Sequence, residues 1–366
     1  MQLLATTTFG LEQVVTQEIK QLGYFWDLKS DGKVFFTGDE KAIARSNLWL
    51  RAADRVFLQL AKFPAKTFVE LFDSVYALDW LQYLDQSSSF PVYVKSKKSQ
   101  LTSTPACQSI VKKAIAKKLT AHYGIEQFAE TGAEVAIHVW LEDDQALVLL
   151  DTSGVGLHKR GYRLAMGQAP LKETLAAGIL LLSGWKGDTI LYDPFCGSGT
   201  FALEAAQLMM HYAPGLKRQF AFQSWHWYQS AWFEEAHAEA LAAIKPLAAD
   251  LIYASDHEGS QIAIAETSQA EIACPQINFF VQDALIAPIP DAPWTLMCNP
   301  PYGIRVGNEE SIIPLYERLA ELRQEAKQSF ILSAFEGTED IVGPATKRRK
   351  LYNGDIQCFL YQYLSQ

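Results

Sequence analysis

The sequence predicts an α/β fold: a doubly wound, mostly parallel sheet in the C-terminal half, preceded by small α+β units. Three observations lead there. The chain has 366 residues, more than one ordinary domain holds, so two or three are expected. Apolar strand-like runs alternate with helix-period segments beyond residue 176. Several of those runs close on an acid or an amide, at Asp193, Asp256, Asp283 and Asn299, and ligands of open parallel sheets bind at the carboxyl ends of the strands.

Residues 1–53 read as a small α/β piece. FGLEQVVTQEIKQLG sets Leu11, Val14, Val15, Ile19 and Leu22 at helical spacing and stops at Gly23. GKVFFTG (32–38) is a strand between glycines, and a helix reaching Trp49 and Leu50 follows. Residues 54–155 form a second unit. RVFLQLAKF is a strand, TFVELFDSVYALDWLQYL a helix and FPVYVKSKKS a strand. TPACQSIVKKAIAKKLTAHYG is a helix with Pro105 at its first position. EVAIHVWLEDDQALVLLDTSG is two strands across the turn Glu142-Asp143-Asp144. Residues 156–175 are polar and basic and read as a linker. Residues 176–366 alternate strand and helix, with strands at 188–193, 251–256, 277–283, 294–299 and 329–335. A closing antiparallel pair surrounds Asn353-Gly354.

Composition excludes several classes. No apolar run approaches the ~18 to 20 residues of a membrane helix. The start MQLLATTTFG has no basic region followed by an apolar core, so a secretory leader is not expected. Five scattered cysteines without C-x-x-C argue against a disulfide scaffold and a zinc site, and suit a reducing cytoplasm. The seven histidines show no ligand spacing, so no metal is expected. The net charge of −9 is unevenly spread. Residues 1–165 hold 19 Lys+Arg against 18 Asp+Glu, and the remainder 13 against 23. From Lys95 to Lys118 there are seven lysines and no acid. A polyanion meets the local patch, not the average. The candidates for nucleic-acid contact are Lys95, Lys97, Lys98, Lys112, Lys113, Lys117 and Lys118, with Lys159, Arg160 and Arg163 in the linker and Arg305 further on. Lys113 and Lys117, four apart, share a helix face. The plainer alternative is a solvated face.

The strand ends carry the chemistry. In LYDPFCGSGTF, Asp193 closes a buried strand, Gly197 and Gly199 permit a tight turn, and Thr200 opens a helix with free N–H groups. The turn lacks the Lys-Ser/Thr of a Walker loop and reads G-x-G, not G-x-G-x-x-G. An acid there disfavours a pyrophosphate and suits a cationic ligand. Asp256 can hydrogen-bond a ribose diol or cap a helix. Asp283 can accept from an adenine amine or serve a turn. In LMCNPPYG, two prolines end the strand and freeze the Asn299 amide, the Pro300 carbonyl and the Tyr302 ring just beyond it. Cys196 and Cys298 read as small apolar fillers.

Together DPFCGSGT and NPPYG resemble the class I S-adenosylmethionine-dependent methyltransferases that modify amines. They are most similar to RNA methylases with an N-terminal THUMP domain, and among these to the bacterial ribosomal RNA guanine-N2 enzymes. LHKRGYR (157–163), APLKETLA (169–176) and KRRKLYNG (347–354) resemble that group too. The likeness is motif-rich over 155–366 and rests on layout over 1–155. It implies a ferredoxin-like piece (1–53), a THUMP domain (54–155), a linker (156–175) and a Rossmann-like catalytic domain (176–366). It implies S-adenosylmethionine as cofactor, S-adenosylhomocysteine as product, and RNA, ribosomal by analogy, as partner. Asp193, Phe195, Cys196, Gly197, Gly199, Thr200, Asp256, Asp283, Ala284 and Asn299 would line the cofactor. Asn299, Pro300 and Tyr302 would be catalytic, with Tyr302 stacking on the base and its hydroxyl dispensable. Asn-Pro-Pro-Tyr also serves adenine N6, so methylation of that amine in RNA or DNA stays open as an alternative, as does an RNA-binding assembly factor without turnover.

Two stretches stand apart. Asp193 and Asp256 are 63 positions apart, against about 20 from glycine turn to ribose acid in dinucleotide folds. The excess holds FAFQSWHWYQSAWF (220–233), seven aromatics in fourteen residues. It reads either as a wall over the target base or as an aromatic clip packed onto the sheet. KRRK (347–350) could meet phosphates or solvate an edge strand.

Overall fold

The computed structural model describes residues 1–163, 171–247, 250–274, 276–303 and 312–364. The N-terminal half contains β1 (Gln2–Thr7), α1 (Glu12–Gln21), β2 (Phe25–Ser30), β3 (Lys33–Thr37), α2 (Glu40–Trp49), β4 (Ala53–Pro64), α3 (Phe68–Ala77), β5 (Val92–Lys97), α4 (Thr104–Tyr123), β6 (Ile137–Glu142) and β7 (Gln145–Asp151). Its strands form one sheet in the order β2-β3-β1-β4-β7-β6-β5. The long strand β4 pairs with β1 on one side and β7 on the other. The two small units expected from the sequence therefore share a single sheet, joined at β4.

Local chemistry accounts for the joints. Pro105 is the second residue of α4, in its first turn, and Gly124 caps the helix at φ +70. Asp143 and Asp144 both take positive φ, the two-residue turn whose twist matches a hairpin. The sequence reading missed β1 and β2. β1 is largely buried on both faces, so it shows no alternation, whereas β2 is exposed throughout and is held by backbone pairing to β3 and by polar side-chain contacts of Asp27 and Lys29.

The C-terminal half contains α5 (Glu173–Ser183), β8 (Ile190–Asp193), α6 (Thr200–Met209), α7 (Ser230–Ala242), β9 (Ile252–Asp256), α8 (Gly259–Glu271), β10 (Ile277–Val281), β11 (Trp294–Cys298), α9 (Ile313–Glu325), β12 (Gln328–Ser333), α10 (Thr338–Val342), β13 (Lys347–Asn353) and β14 (Ile356–Leu364). The sheet order is β10-β9-β8-β11-β12-β14-β13. Its first five strands are parallel, and β14 and β13 close it antiparallel. Helix α5 escaped the sequence reading because Glu173 to Leu180 is buried all round, which erases the amphipathic period.

The described part of the stretch expected as a linker is anchored by buried ion pairs. Arg160 grips Glu204 of α6 with two nitrogens, at 3.1 and 3.3 Å, and its other donors reach the carbonyls of Leu157 and Arg51. Tyr162 gives its hydroxyl to the same carboxylate, at 3.2 Å. Arg163 bridges Glu173 (3.3 Å) and the Thr200 hydroxyl (2.7 Å). Arg160 is 4 % exposed and the Arg163 side chain 9 %. Both leave the nucleic-acid set, because a guanidinium held in a buried ion pair cannot turn to a phosphate. Lys159 is exposed. Arg305 lies outside the described residues, as does part of 169–176.

The aromatic stretch is buried too, yet not on its own sheet. Phe220, Phe222, Trp225 and Tyr228 enter the core. The Phe222 amide donates to Thr152, and the Trp225 indole N–H to the Glu134 carbonyl, at 3.2 and 3.1 Å. Trp227 meets Tyr83 edge-on at 5.6 Å. Behind it, Lys41 and Arg45 of α2 pair with Glu235 and Glu239 of α7. The clip therefore fastens the catalytic half to the N-terminal half, and the wall over a target base is withdrawn.

The lysine run divides between two faces. Val92, Val94 and Ser96 of β5 turn toward α4, so Lys95 and Lys97 project from the helix-free face. There Lys95 and Lys33 approach the Trp140 ring, at 5.8 and 5.5 Å, and Lys97 lies 3.7 Å from Glu142. Lys98 is exposed at the strand end. Lys113 and Lys117 are exposed on α4, Lys112 pairs with Glu130 at 2.8 Å, and Lys118 lies over Tyr76. What read as one patch wraps around the β5 edge of the sheet.

Candidate active site

Four neighbouring strands bring the predicted residues to one edge of the catalytic sheet. Asp193 ends β8, and Asp256 ends β9 beside it. Asp283 lies just past β10, and Asn299 directly follows β11 on the other side of β8. The backbone ties these ends together. The Cys196 amide donates to the Ser255 carbonyl at 2.9 Å, the Gly197 amide to the Asp256 carboxylate at 2.9 Å, and the Gln282 amide to the Asp256 carbonyl at 2.8 Å. The other Asp256 oxygen accepts from the Glu258 amide at 3.0 Å. Asp256 thus joins the glycine turn to the second strand while keeping lone pairs for a ligand. Asp283 is exposed and accepts from the Leu285 amide at 3.0 Å; the next residue, Ala284, is buried.

The two glycines differ. Gly199 takes φ +78, and a Cβ there would meet the Phe279 ring and Ala265 at 2.9 Å, so it serves packing. Gly197 takes φ +52, and a Cβ there would meet nothing within 4 Å. The turn therefore fronts open space at Gly197, where a ligand can approach the backbone. Phe195 is half-buried beside it, and Thr200 opens α6.

Asp193 is buried, and among the described residues its carboxylate accepts one bond, from the Phe195 amide at 3.1 Å. Burial pushes its pKa well up, and the negative charge of Asp256 adds to this. No cationic side chain among the described residues contributes to its environment. A ligand bearing a positive group would supply what this carboxylate lacks. Burial also pushes the Cys196 and Cys298 thiols well above their ordinary range, which suits fillers and not nucleophiles.

The Asn299-Pro300-Pro301-Tyr302 turn is braced from two sides. The Tyr302 hydroxyl donates to the Asn299 side-chain oxygen. From α9, the Tyr316 hydroxyl reaches the Pro301 carbonyl at 3.3 Å and shares a 2.6 Å hydrogen bond with Ser333. The Tyr302 hydroxyl is thus not idle, contrary to the expectation from the motif. Tyr316 was missed because in sequence it is one apolar position of an amphipathic helix. Its signal would have been its place among Ile312, Leu319 and Leu322.

An amide and a fixed carbonyl beside a glycine turn, with acids on the first two strand ends, define a class I methyltransferase. Residues 160–362 match the family described as the RMKL-like methyltransferase domain. Residues 2–57 match the RlmL ferredoxin-like domain and residues 65–151 the THUMP domain. The chain belongs to this methyltransferase family. It is 41% identical over 371 residues to the Bacillus subtilis (strain 168) protein named "Putative RNA methyltransferase YpsC", covering 100% of this chain and 96% of the relative. It is 40% identical, at TM-score 0.92, to the crystal structure of SMU.472, described as "a putative methyltransferase complexed with SAH", covering 100% and 98% of the two chains. A structure from Listeria monocytogenes str. 4b F2365, described as "a predicted N6-adenine-specific DNA methylase", is also 40% identical at TM-score 0.92, covering 100% and 96%.

Replacing Asp256 by alanine removes a candidate ligand partner and unties Gly197. Calorimetry should show S-adenosylhomocysteine binding weakened by about 1.5–3 kcal/mol. Binding equal to the unaltered protein would place the ligand elsewhere.

Proposed function

We propose that the protein is an S-adenosylmethionine-dependent RNA methyltransferase. Its target is the exocyclic amine of a base, N2 of a guanine in large-subunit ribosomal RNA. The observation that carries this reading is the braced Asn299–Tyr302 turn beside the Asp193–Asp256 cradle. The cradle fits the cofactor: Gly197 leaves room at the backbone, Asp193 awaits a cationic group, and Asp256 and Asp283, at neighbouring strand ends, offer acceptors for a ribose and an adenine. S-adenosylmethionine supplies the methyl group when bound. The chain's own residues prepare the amine. An exocyclic amine is a poor nucleophile because its lone pair is delocalised into the ring. The Asn299 oxygen and the Pro300 carbonyl accept its hydrogens and draw the nitrogen toward sp3 geometry. These bonds strengthen as positive charge develops, so they favour the transition state over the ground state. Tyr302 holds the Asn299 oxygen in place and offers its ring to the base.

The THUMP match and the name of the Bacillus subtilis relative support RNA as substrate. The five free, buried cysteines fit a reducing cytoplasm. Adenine N6, in RNA or DNA, is the second reading, favoured by the description of the Listeria protein as a predicted N6-adenine-specific DNA methylase. Mass spectrometry of nucleosides from total RNA of a deletion strain tests both. Loss of N2-methylguanosine from ribosomal RNA is expected. Loss of N6-methyladenosine instead would decide for the alternative, and an unchanged nucleoside profile would remove the RNA reading.

RNA affinity should fall steeply with salt as phosphate contacts release counterions. Reversing Lys113 and Lys117 to glutamate should lower the slope of log affinity against log salt by about 0.7 to 0.9 for each phosphate no longer neutralised. Reversing Lys95 and Lys97 tests the opposite face separately. Binding insensitive to salt and to both pairs would return the lysines to a solvated face.

A further inference from the structure

The KRRK stretch divides residue by residue. Arg348 pairs with Glu339 at 3.0 Å and covers the Phe359 ring. Arg349 donates to the Gly10 carbonyl at 3.0 Å. Lys350 is exposed, and its ammonium lies 5.3 Å from the centre of the Tyr352 ring. That ring meets Phe9 edge-on, with centroids 6.4 Å apart. Phe9 is 43% exposed. An aromatic ring of the N-terminal half thus stands in solvent against the last hairpin of the catalytic sheet.

The register places this ring on the active edge. Ser333, the last residue of β12, lies opposite Phe359, and Phe359 lies opposite Lys350. In the same sheet Ile331 lies beside Cys298, the residue before Asn299. Lys350 is therefore level with the carboxyl end of β12, and Tyr352 runs beyond it on the side where Asn299 emerges. Three strand spacings separate β11 from β13, about 14 Å.

Phe9 is held there by its neighbours. Gly10 takes φ +93, and a Cβ on it would lie 2.8 Å from the Lys350 carbonyl oxygen. Gly178 on α5 leaves space for Leu11; a Cβ there would lie 2.5 Å from the leucine methyl. The Glu12 carboxylate accepts from the amides of Gly10 and Gly32, at 3.0 and 2.8 Å. The loop is pinned by backbone contacts and a buried leucine, and the one large side chain it leaves outside is an aromatic ring against Tyr352, over which Lys350 lies.

We propose that Phe9, Tyr352 and Lys350 hold an unpaired nucleotide that flanks the target base, its base on the Phe9 ring and its phosphate at Lys350. This rests on the RNA reading above. A base drawn out of its stack for methylation leaves its neighbours unstacked, and an exposed ring offers them a sequence-tolerant partner. A lysine next to the ring matches the phosphate that each nucleotide brings.

The test uses the full chain and total RNA from a strain lacking the enzyme. Phe9→Ala should raise the apparent KM for RNA roughly 5- to 100-fold, the worth of one base–aromatic stack. The turnover rate at saturating RNA, the S-adenosylhomocysteine affinity and the thermal midpoint should stay as they were. Phe9→Trp should keep the wild-type KM. Phe9→Leu, apolar but without a ring, should be as weak as alanine. Lys350→Ala should lower the salt slope by about 0.7. A wild-type KM in Phe9→Ala or Phe9→Leu would overturn the proposal. A fall in thermal midpoint and cofactor affinity together would overturn it too, since Phe9 would then be domain packing. If the wild-type protein failed to methylate this RNA, the functional reading would fall, and this inference with it.

Discussion

Asn299→Ala should slow single-turnover methylation by roughly 10²–10³, the usual loss when one preorganised polar partner of a transition state is removed. RNA affinity should barely move, because one base contact is small beside many phosphate contacts. Asn299→Asp should retain more activity than alanine, since a carboxylate still accepts hydrogen bonds. Tyr302 sharpens the test. Its hydroxyl is bonded to the Asn299 oxygen, so Tyr302→Phe should fall between wild type and Tyr302→Ala. Phenylalanine keeps the ring and frees the amide to rotate. If Phe matches wild type, the hydroxyl brace is irrelevant to catalysis. If Phe is as poor as Ala, the ring contributes nothing by stacking. Equal rates for Asn299→Ala and wild type would remove the amide from the mechanism.

Arg160→Met should destabilise the fold by about 3–5 kcal/mol in equilibrium urea unfolding. The cost comes from what stays behind. Glu204, with a fully buried side chain, would keep, among the described residues, only the Tyr162 hydroxyl as a hydrogen-bonding side chain. Changing Arg160 and Glu204 together to methionine should cost less than Arg160→Met alone, because Glu204 no longer stays buried without its guanidinium. A double variant whose loss equals the sum of the two single losses would show that the pair is not coupled. The folded Arg160→Met protein should keep the salt slope of RNA binding, in contrast to the Lys113/Lys117 reversal. A reduced slope would return Arg160 to the RNA surface.

The contrast between Arg160 and Lys113 shows where sequence reading stops. Both are cations in basic stretches, and nothing local distinguishes them. Arg160 is buried because Glu204, 44 positions later on helix α6, faces it. The same limit hid Tyr316, whose partners Pro301 and Ser333 come from separate strand ends. It also misplaced the aromatic clip, whose receiving surface lies in the N-terminal half.

Local chemistry is legible in the chain alone. Prolines stop β11 and stiffen the turn after Asn299. Glycines at 197 and 199 permit left-handed backbone in the first strand–helix joint. Apolar runs with acids at their ends mark parallel strands and the edge where a ligand sits. Folding settles the rest: which cations face solvent, how one lysine run splits across two faces of a sheet, and how β4 fuses two units into one. It also sets a phenylalanine near the N-terminus at the active edge. One cause underlies these cases. Burial and pairing depend on partners distant in the chain, and a side chain's charge or ring is the same in sequence whether the fold encloses it or leaves it to water.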